Sequence, residues 1–391
     1  MDFKGTRVLI MDGGNKQTLA MMRGLKEIGC HVTVLCESKW DGCYVSKLPD
    51  EKIVNKRLCE WDANHYTEDE KRQFFIELLS SGKFDVIMPM IDFSTDFVTK
   101  NEAIFSQYVK LACAPRRAFI GAFNKQITFD QAIKSGIPSP NTRRSDQTIE
   151  EFLATATFPI IIKSRQGFGS IGFHKFNTRQ EFDEKLSDPT FNVDDYVVQE
   201  FVNFEHRVGI NIFMNKKGEI CTAYACDVTR WFPIDAGAGV LIQSVDTPDL
   251  IEYGGKLLRE LGWCGFADLC FMIEKETGKP RLLEINGRIP ASVKMSYLLG
   301  CNVSKQLLEM AYEQEVTKYP INKKQGIFIR HLDTDLAWFL QSPDRFCAKP
   351  SWFSWKNTKE VVFSKDDMKP FFVMFFQRLS RYKKLMAKKK H

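Results

Sequence analysis

The sequence has 391 residues, which corresponds to two or three domains at about 150 residues each. Its 44% hydrophobic and 27% charged residues are typical of a globular protein and exclude a mainly disordered, collagen-like or disulfide-built chain. The eleven cysteines form no Cys-x-x-Cys pair and no zinc spacing with histidine, so we expect them to be reduced. The sequence lacks an apolar run of about 18 residues and a basic-then-apolar leader, which predicts a cytoplasmic protein.

The formal net charge of +6 comes from the end of the chain. Residues 371–391 hold seven Lys and Arg residues and no acidic residue, while the rest of the chain carries 48 basic against 49 acidic residues. Because the body of the protein is close to neutral, we do not expect it to bind nucleic acid.

The first part of the chain alternates apolar runs with helical patterns, which predicts a parallel sheet. The predicted strands are Arg7–Met11, His31–Leu35, Asp85–Pro89 and, as a fourth, Lys110–Cys113, and the predicted helices are Thr18–Ile28 and Glu68–Leu79. The Gly13-Gly14 turn lacks the Gly-x-Gly-x-x-Gly spacing, so it indicates a tight turn, with phosphate contact as the minor alternative.

The pattern changes from about residue 116. We predict helices over Phe123–Ser135, Leu250–Leu261 and Val303–Tyr312, and strands that end at Lys163 or cover 196–202, 208–214, Gly265–Ile273 and Arg281–Ile285.

A glycine-rich loop follows the predicted strand that ends at Lys163. Gly167, Gly169 and Gly172 surround Ser170, and glycines let backbone N–H groups close around phosphate oxygens. The strand's lysine would add a positive charge at the same place. A mobile hairpin loop with an exposed lysine explains this segment equally well.

Two further segments carry candidate ligand-binding groups. The strand ending in Gln199, Glu200, Phe201 and Val202 offers backbone groups to a nucleotide base, and Glu205 offers a carboxylate to ribose, although an ordinary strand is the simpler reading. Glu284 and Asn286 lie two apart and therefore on one strand face, with Arg288 just beyond. A carboxylate and an amide oxygen suit Mg²⁺, and the arginine suits a phosphoryl group.

Taken in order, these segments resemble the ATP-grasp superfamily, and within it the branch of carbamoyl-phosphate-synthase-like and D-aspartate-ligase-like proteins. The resemblance covers roughly residues 5–320. It implies an α/β fold: an N-terminal Rossmann-like (pre-ATP-grasp) parallel sheet, then a two-lobed α+β ATP-grasp domain and a basic C-terminal extension. The implied boundaries are 1–115 for the first domain, 116–200 for the small lobe, 201–320 for the large lobe and 321–391 for the extension.

The resemblance also implies a role for each matching residue. Lys125 and Lys163 match the two lysines that contact ATP phosphates, and Gly167, Gly169 and Ser170 match the phosphate loop. Gln199 to Val202 match the adenine hinge, and Glu205 matches the ribose carboxylate. Glu284 and Asn286 match the metal ligands, and Arg288 matches the arginine beside the reacting phosphate.

The sequence departs from the family pattern at two places. Gly287 replaces the usual proline between Asn286 and Arg288, which leaves the arginine in place. Cys270 falls where the family has another metal ligand, and a thiol is a poor ligand for Mg²⁺. Asp268 lies on the same strand face, and we therefore predict that it takes this role.

The chemistry that the resemblance implies is ATP- and Mg²⁺-dependent ligation of a small-molecule carboxylate to an amine, or to a thiol, through an acyl phosphate. We expect Arg230, in a loop that closes over the site, to bind a substrate carboxylate; a solvated arginine on a surface hairpin is equally consistent with the sequence. A biotin-carboxylase-like enzyme and a non-catalytic nucleotide-binding protein are the alternatives, and a homodimer is left open.

The C-terminal segment has a helical apolar stripe made of Phe372, Phe375, Phe376, Leu379, Tyr382 and Met386. One interpretation is a helix packed on the body of the protein with a solvated basic face. The other is weak peripheral contact of residues 371–391 with the inner face of a membrane, which fits a role in bacterial cell-envelope or capsule assembly.

Overall fold

The computed structural model describes residues 2–59, 66–166, 172–234, 237–321 and 323–388, with side chains described as far as Ser380. Its N-terminal part contains a parallel sheet of order β3-β2-β1-β4-β5. The strands are β1 (Arg7–Ile10), β2 (His31–Cys36), β3 (Glu51–Val54), β4 (Val86–Met88) and β5 (Lys110–Leu111). The Rossmann-like sheet predicted from the apolar runs is confirmed.

Six helices accompany this sheet among the described residues. They are α1 (Lys16–Glu27), α2 (Gly42–Val45), α3 (Lys56–Cys59), α4 (Glu68–Leu79), α5 (Asp92–Lys100) and α6 (Glu102–Phe105). The glycine turn between β1 and α1 lies against β2, where the Gly13 N–H donates to the Leu35 carbonyl over 2.9 Å. A side chain at Gly13 would collide with the sulfur of Cys36, so close packing requires glycine here.

The next part of the chain builds a three-stranded antiparallel sheet of order β7-β6-β8 with helices around it. Its elements are α7 (Arg116–Phe123), α8 (Lys125–Lys134), α9 (Ile149–Leu153), β6 (Ile160–Ser164), β7 (His174–Phe176), α10 (Arg179–Leu186) and β8 (Tyr196–Glu200). The helix predicted from Phe123 begins at Lys125 because the Asn124 side chain accepts the Gln126 N–H over 3.0 Å as an N-cap.

A large sheet of order β13-β12-β9-β10-β11-β14-β15 forms the second lobe. Its elements are β9 (Phe204–Met214), β10 (Ile220–Phe232), β11 (Ala238–Val245), α11 (Pro248–Glu260), β12 (Gly265–Glu274), β13 (Pro280–Asn286), α12 (Lys294–Leu298) and α13 (Val303–Ala311). All neighbouring pairs from β13 to β14 are antiparallel. The mixed fold therefore agrees with the predicted two-lobed α+β domain.

The C-terminal extension completes this large sheet. It contributes β14 (Phe328–Arg330), α14 (Leu332–Gln341), β15 (Thr358–Glu360) and α15 (Lys369–Lys388). Strand β14 pairs with β11, so the extension is built into the lobe rather than attached beside it.

Helix α15 is helical as predicted, but its predicted apolar stripe is only partly correct. Met374 is buried and packs against Gly42 of α2, where a side chain would collide with it. Phe372 and Phe376 are 49% and 62% exposed, because the helix is rotated to bring Met374 inward. Tyr382 and Met386 lie outside the residues whose side chains are described.

Candidate functional site

Strands β12 and β13 bring four of the predicted site residues together on one face of the large sheet. Asp268 lies directly opposite Asn286, and Cys270 lies opposite Glu284. The Asn286 Nδ2 donates to Asp268 Oδ2 over 3.1 Å, and an Arg288 N–H approaches Asn286 Oδ1 at 3.5 Å. Two carboxylates, an amide and a guanidinium thus lie beside one another.

The small lobe adds Lys163 to this group. The residue is the last but one of β6, and its ammonium donates to the Leu283 carbonyl over 3.1 Å and lies 4.3 Å from the centre of the Phe129 ring. Burial lowers the pKa of Lys163 to about 7; Glu284 raises it and Lys125 lowers it further. Lys163, Lys125 and Glu284 are therefore close enough to influence one another electrostatically.

The Asp268 carboxyl lies buried among charged groups. Burial raises the pKa of Asp268 to about 6, and the like charge of Glu284 adds to this rise, while Arg288 and Asn286 oppose it. Positive charge between the two carboxylates would relieve both penalties. No three His, Cys, Asp or Glu side chains in the described ranges are placed to hold a metal together.

Cys270 does not strengthen this donor set. Burial raises the pKa of the Cys270 thiol to about 12, so it stays protonated at neutral pH. A neutral thiol is a poor ligand for Mg²⁺, and the role of Asp268 as the oxygen ligand on this strand stays a prediction.

Arg288 is anchored by a residue from the N-terminal domain. Its Nε donates to Asp92 Oδ2 over 3.2 Å, and both side chains are largely buried. Asp92 begins α5 and was not among the predicted site residues. The only sign of Asp92 in the sequence is its position at the end of the short run of residues that follows β4. The carboxyl ends of parallel strands meet at one edge of the sheet, and ligands bind there.

The predicted hinge lies at the end of β8, and most of its polar groups are bonded within the small lobe. The buried Gln199 Nε2 donates to Thr142 Oγ1 over 2.7 Å, and Glu200 Oε1 accepts from Asn141 Nδ2 over 2.8 Å.

Two further contacts limit what this hinge could offer a ligand. The Phe201 N–H donates to Pro159 O over 2.9 Å and is unavailable to a base, and the Lys175 ammonium covers the Phe201 ring at 3.7 Å. Val202 is buried and Glu205 is exposed. Adenine and ribose binding here stays a prediction.

Three residues of the predicted phosphate loop, Gly167, Gly169 and Ser170, lie outside the described residues. The loop begins beside the first predicted ATP lysine, because the Lys125 N–H donates to the Arg165 carbonyl over 2.8 Å. This bond ties the start of α8 to the end of β6, and so brings the two lysine-bearing segments into contact.

The substrate role predicted for Arg230 is wrong. Arg230 is only 4% exposed, and its Nε and one terminal nitrogen donate to the two oxygens of Asp335 over 2.9 and 3.0 Å. Its remaining nitrogen donates to the Pro350 carbonyl. The residue lies in β10 and fastens the large sheet to the C-terminal extension, a partner more than 100 positions away that local sequence does not reveal.

The comparison with protein families identifies the central part of the chain. Residues 122–292 match the sequence model of the ATP-grasp domain family. No curated protein matches the chain.

Several solved structures are similar to the chain in fold. A biotin carboxylase–β,γ-ATP complex from Campylobacter jejuni has a TM-score of 0.64 at 16% identity, over 83% of this chain and 74% of that one. N5-carboxyaminoimidazole ribonucleotide synthetase from Thermotoga maritima has a TM-score of 0.57 at 17% identity, over 81% and 78%. The biotin carboxylase domain of Hydrogenobacter thermophilus 2-oxoglutarate carboxylase, in complex with MgADP, ADP and bicarbonate, has a TM-score of 0.65 at 16% identity, over 83% and 73%.

Proposed function

We propose that this chain, which belongs to the ATP-grasp superfamily, is an ATP- and Mg²⁺-dependent ligase that joins a carboxylate to an amine or a thiol and releases ADP and phosphate. The observation that carries the proposal is the meeting of Lys163, Glu284, Asp268, Asn286 and Arg288 between the two lobes. Packing alone gives no reason to gather these charged groups on one strand face.

The chain's own residues would act mainly by positioning and charge. Lys163 would place a positive charge on a nucleotide phosphate, and Arg288, held by Asp92, would present its guanidinium to the phosphoryl group that is transferred. A substrate carboxylate attacking that phosphoryl group would become an acyl phosphate, and an amine or thiol would then displace phosphate. No protein nucleophile is needed for this sequence of steps.

The residues present fit a divalent cation. Asp268 and Glu284 would hold it together with the amide oxygen of Asn286, because these hard oxygen donors lie side by side. When bound with a nucleotide, Mg²⁺ neutralises phosphate charge.

Bicarbonate is a second candidate for the carboxylate. Two of the similar structures are biotin carboxylases, and one of them was solved with bicarbonate. A role in cell-envelope or capsule assembly is a separate proposal, and it rests on the basic C-terminal helix α15.

The test is ADP and phosphate release by the full chain, with ATP and Mg²⁺, against a panel of carboxylates that includes bicarbonate, each paired with amines and thiols. We expect release that depends on one carboxylate and one acceptor. Release that needs bicarbonate alone would favour the second candidate. Nucleotide binding without release for any pair would favour a non-catalytic protein.

We also propose weak peripheral contact with an anionic membrane through an aromatic patch made of Trp40, Met368, Phe372 and Phe376. Their side chains are between 48% and 71% exposed, and the Gln377 side chain donates to the Trp40 carbonyl over 2.7 Å, which brings α15 beside Trp40. None of the described helices is long and apolar enough to cross a bilayer.

A further inference from the structure

The residues of the candidate metal site lie in two rows that run across three strands. In the first row, Asn286 of β13, Asp268 of β12 and Asn211 of β9 lie directly opposite one another. In the second row, Glu284 and Cys270 are followed by Gly209. Directly opposite residues of antiparallel strands share a face, with Cβ atoms about 4.5–5.5 Å apart. Asn211 therefore belongs to the same patch as the predicted ligands.

The side chain of Asn211 is buried and incompletely bonded. It is 2% exposed, and its Oδ1 has no hydrogen-bond partner. A buried amide oxygen without a partner is destabilising, and a ligand bound beside it would supply the missing interaction.

The neighbouring Gly209 lies close against these two side chains. A methyl group at this position would lie 3.3 Å from Asp268 Oδ1 and 3.9 Å from Asn211 Nδ2. A side chain here would press on the Asp268 carboxylate, so glycine lets the Asp268 carboxylate and the Asn211 amide lie beside the same backbone position. Cys270, beside Gly209 in the same row, contributes no oxygen to this patch.

The chemistry of the unpaired atom restricts what can bind there. An amide oxygen only accepts, so it cannot pair with a phosphate or carboxylate oxygen that has no proton. A cation satisfies it, and so does an N–H of an amine substrate. Because Asp268 and Glu284 already bring negative charge to this patch, the cation satisfies more of the surrounding groups.

We infer that Asn211 Oδ1 is a further ligand of the divalent cation, and that it supplies the oxygen that Cys270 cannot. This inference rests on the proposed function, because it assumes that the cation and a nucleotide bind at this patch. It predicts that β9, which lies two strands away from Glu284 and Asn286 on β13, carries part of the metal site.

The experiment measures Mn²⁺ binding to the full chain by electron paramagnetic resonance of free Mn²⁺, with a non-hydrolysable ATP analogue and no acceptor. Asn211→Leu and Asn211→Asp keep the shape of the side chain but change its oxygens in opposite ways. We expect Leu to raise the Kd for Mn²⁺ at least about tenfold and Asp to leave it equal or lower. The surface variant Asn177→Leu should bind as the wild type does.

A rescue variant makes the inference specific. If the Asn211 oxygen takes the place of the metal ligand that is absent at position 270, then Cys270→Asp should restore Mn²⁺ binding to the Asn211→Leu variant. One result would overturn the inference and leave the proposed function standing. In it, the folded Asn211→Leu variant binds Mn²⁺ with the wild-type Kd, while Glu284→Ala loses Mn²⁺ binding. Absence of Mn²⁺–nucleotide binding by the wild type would overturn both.

Discussion

Lys163 and Glu284 come from different lobes and neither belongs to an apolar core, so each tests the site without holding a core together. We expect Lys163→Ala and Glu284→Ala each to lower ATP-dependent ADP release at least about 100-fold, because each removes a charge that acts on the phosphates. The circular dichroism spectrum and the thermal midpoint should stay close to those of the wild type. Turnover is measured at saturating ATP and Mg²⁺.

Lys134 provides the matched control for this pair, since it is an exposed lysine at the far end of α8. Lys134→Ala should keep wild-type turnover. Near-normal turnover in either site variant, with the control unchanged, would contradict the assignment of Lys163 and Glu284 to the active site.

Asp268 and Cys270 test which residue of β12 binds the cation. Asp268→Asn removes a charged ligand and should raise the Mg²⁺ concentration needed for half-maximal activity by about tenfold or more. Cys270→Ala removes a protonated thiol and should change that concentration little. A titration of activity with Mg²⁺ decides between them, and the reverse ranking would show that the thiol position is the ligand.

The sequence could place candidate residues side by side where they lie within one strand. Glu284 and Asn286 were expected on one strand face from their spacing, because residues two apart share a strand face, and both lie on β13. Asn211 and Asp92 were not expected beside them. Asn211 is brought there by strand pairing and Asp92 by domain packing, and a lone Asn or Asp in the sequence carries no sign of either. The paired state of Arg230 was missed for the same reason.

The elements of the C-terminal extension are fastened by a buried cluster of charges. Asp335 of α14 is fully buried and lies between the guanidiniums of Arg230 on β10 and Arg330 on β14. The ring of Trp352 lies 4.4 Å from the Arg330 guanidinium, and the backbone carbonyl of that tryptophan accepts from it. This cluster joins two strands and a helix through a single carboxylate.

Loss of that carboxylate should be costly. Asp335→Asn leaves two buried guanidiniums facing each other without a counter-charge, and we expect the free energy of unfolding to fall by about 3–5 kcal/mol. Urea unfolding followed by circular dichroism measures this. Asp344→Asn, at an exposed position beyond α14, should change it by less than about 0.5 kcal/mol. Equal stability of the two variants would show that the buried cluster contributes no net stability.

The N-terminus of α14 makes a second contact, with α1, and this one depends on pH. His331 is buried, and its Nδ1 lies 3.4 Å from the Lys16 ammonium, which in turn donates to Asp333 over 2.6 Å. Burial lowers the pKa of His331, and Lys16 lowers it further, while Asp333 opposes. Arg378 and Glu360 also lie near this group.

The sign of the pH effect follows from that lowered pKa. The folded protein keeps His331 neutral while the unfolded chain takes up a proton below about pH 6.5, so stability should fall as the pH is lowered, by up to about 1.4 kcal/mol per unit. His331→Gln should remove this part of the slope between pH 6.5 and 4.5 in urea unfolding. The raised pKa of Glu360, caused by burial, acts in the opposite sense in both proteins and cancels in the comparison. An unchanged slope would contradict the prediction.

Element types were predictable where one periodicity ran over many residues, as in β2, α4 and α11. Three short strands were not predicted: β3, β14 and β15 have three or four residues each, and pairing with neighbouring strands defines them. The packed face of α15 was misplaced because several apolar stripes are available on a helix this rich in phenylalanine, and contact with Gly42 selects the one that contains Met374.

At the scale of the whole molecule, the charge is divided unevenly along the chain. Residues 321–391 carry 16 Lys and Arg against six Asp and Glu, whereas residues 1–320 carry 39 against 43. The aromatic patch lies where the basic extension meets the N-terminal domain, since Trp40 is beside α15. Exposed aromatic side chains within a basic segment complement an anionic lipid surface, where the rings enter the headgroup region and the lysines remain at the phosphates.

This complementarity predicts salt-sensitive binding to anionic vesicles. The full chain should sediment with phosphatidylserine-containing vesicles at low salt, and much less at about 0.5 M salt or with neutral vesicles, because screening weakens the lysine contribution. Trp40→Ser combined with Phe372→Ser and Phe376→Ser should abolish sedimentation at low salt and keep ATP-dependent turnover.

The matched control is Phe346→Ser with Phe353→Ser, at exposed aromatic positions outside the patch, and it should bind as the wild type does. A chain ending at Pro370 lacks both α15 and the lysines and should not sediment at all. If the full chain and the patch variant stay equally in the supernatant, the role of α15 is packing alone, and the proposed role in cell-envelope or capsule assembly is lost with it.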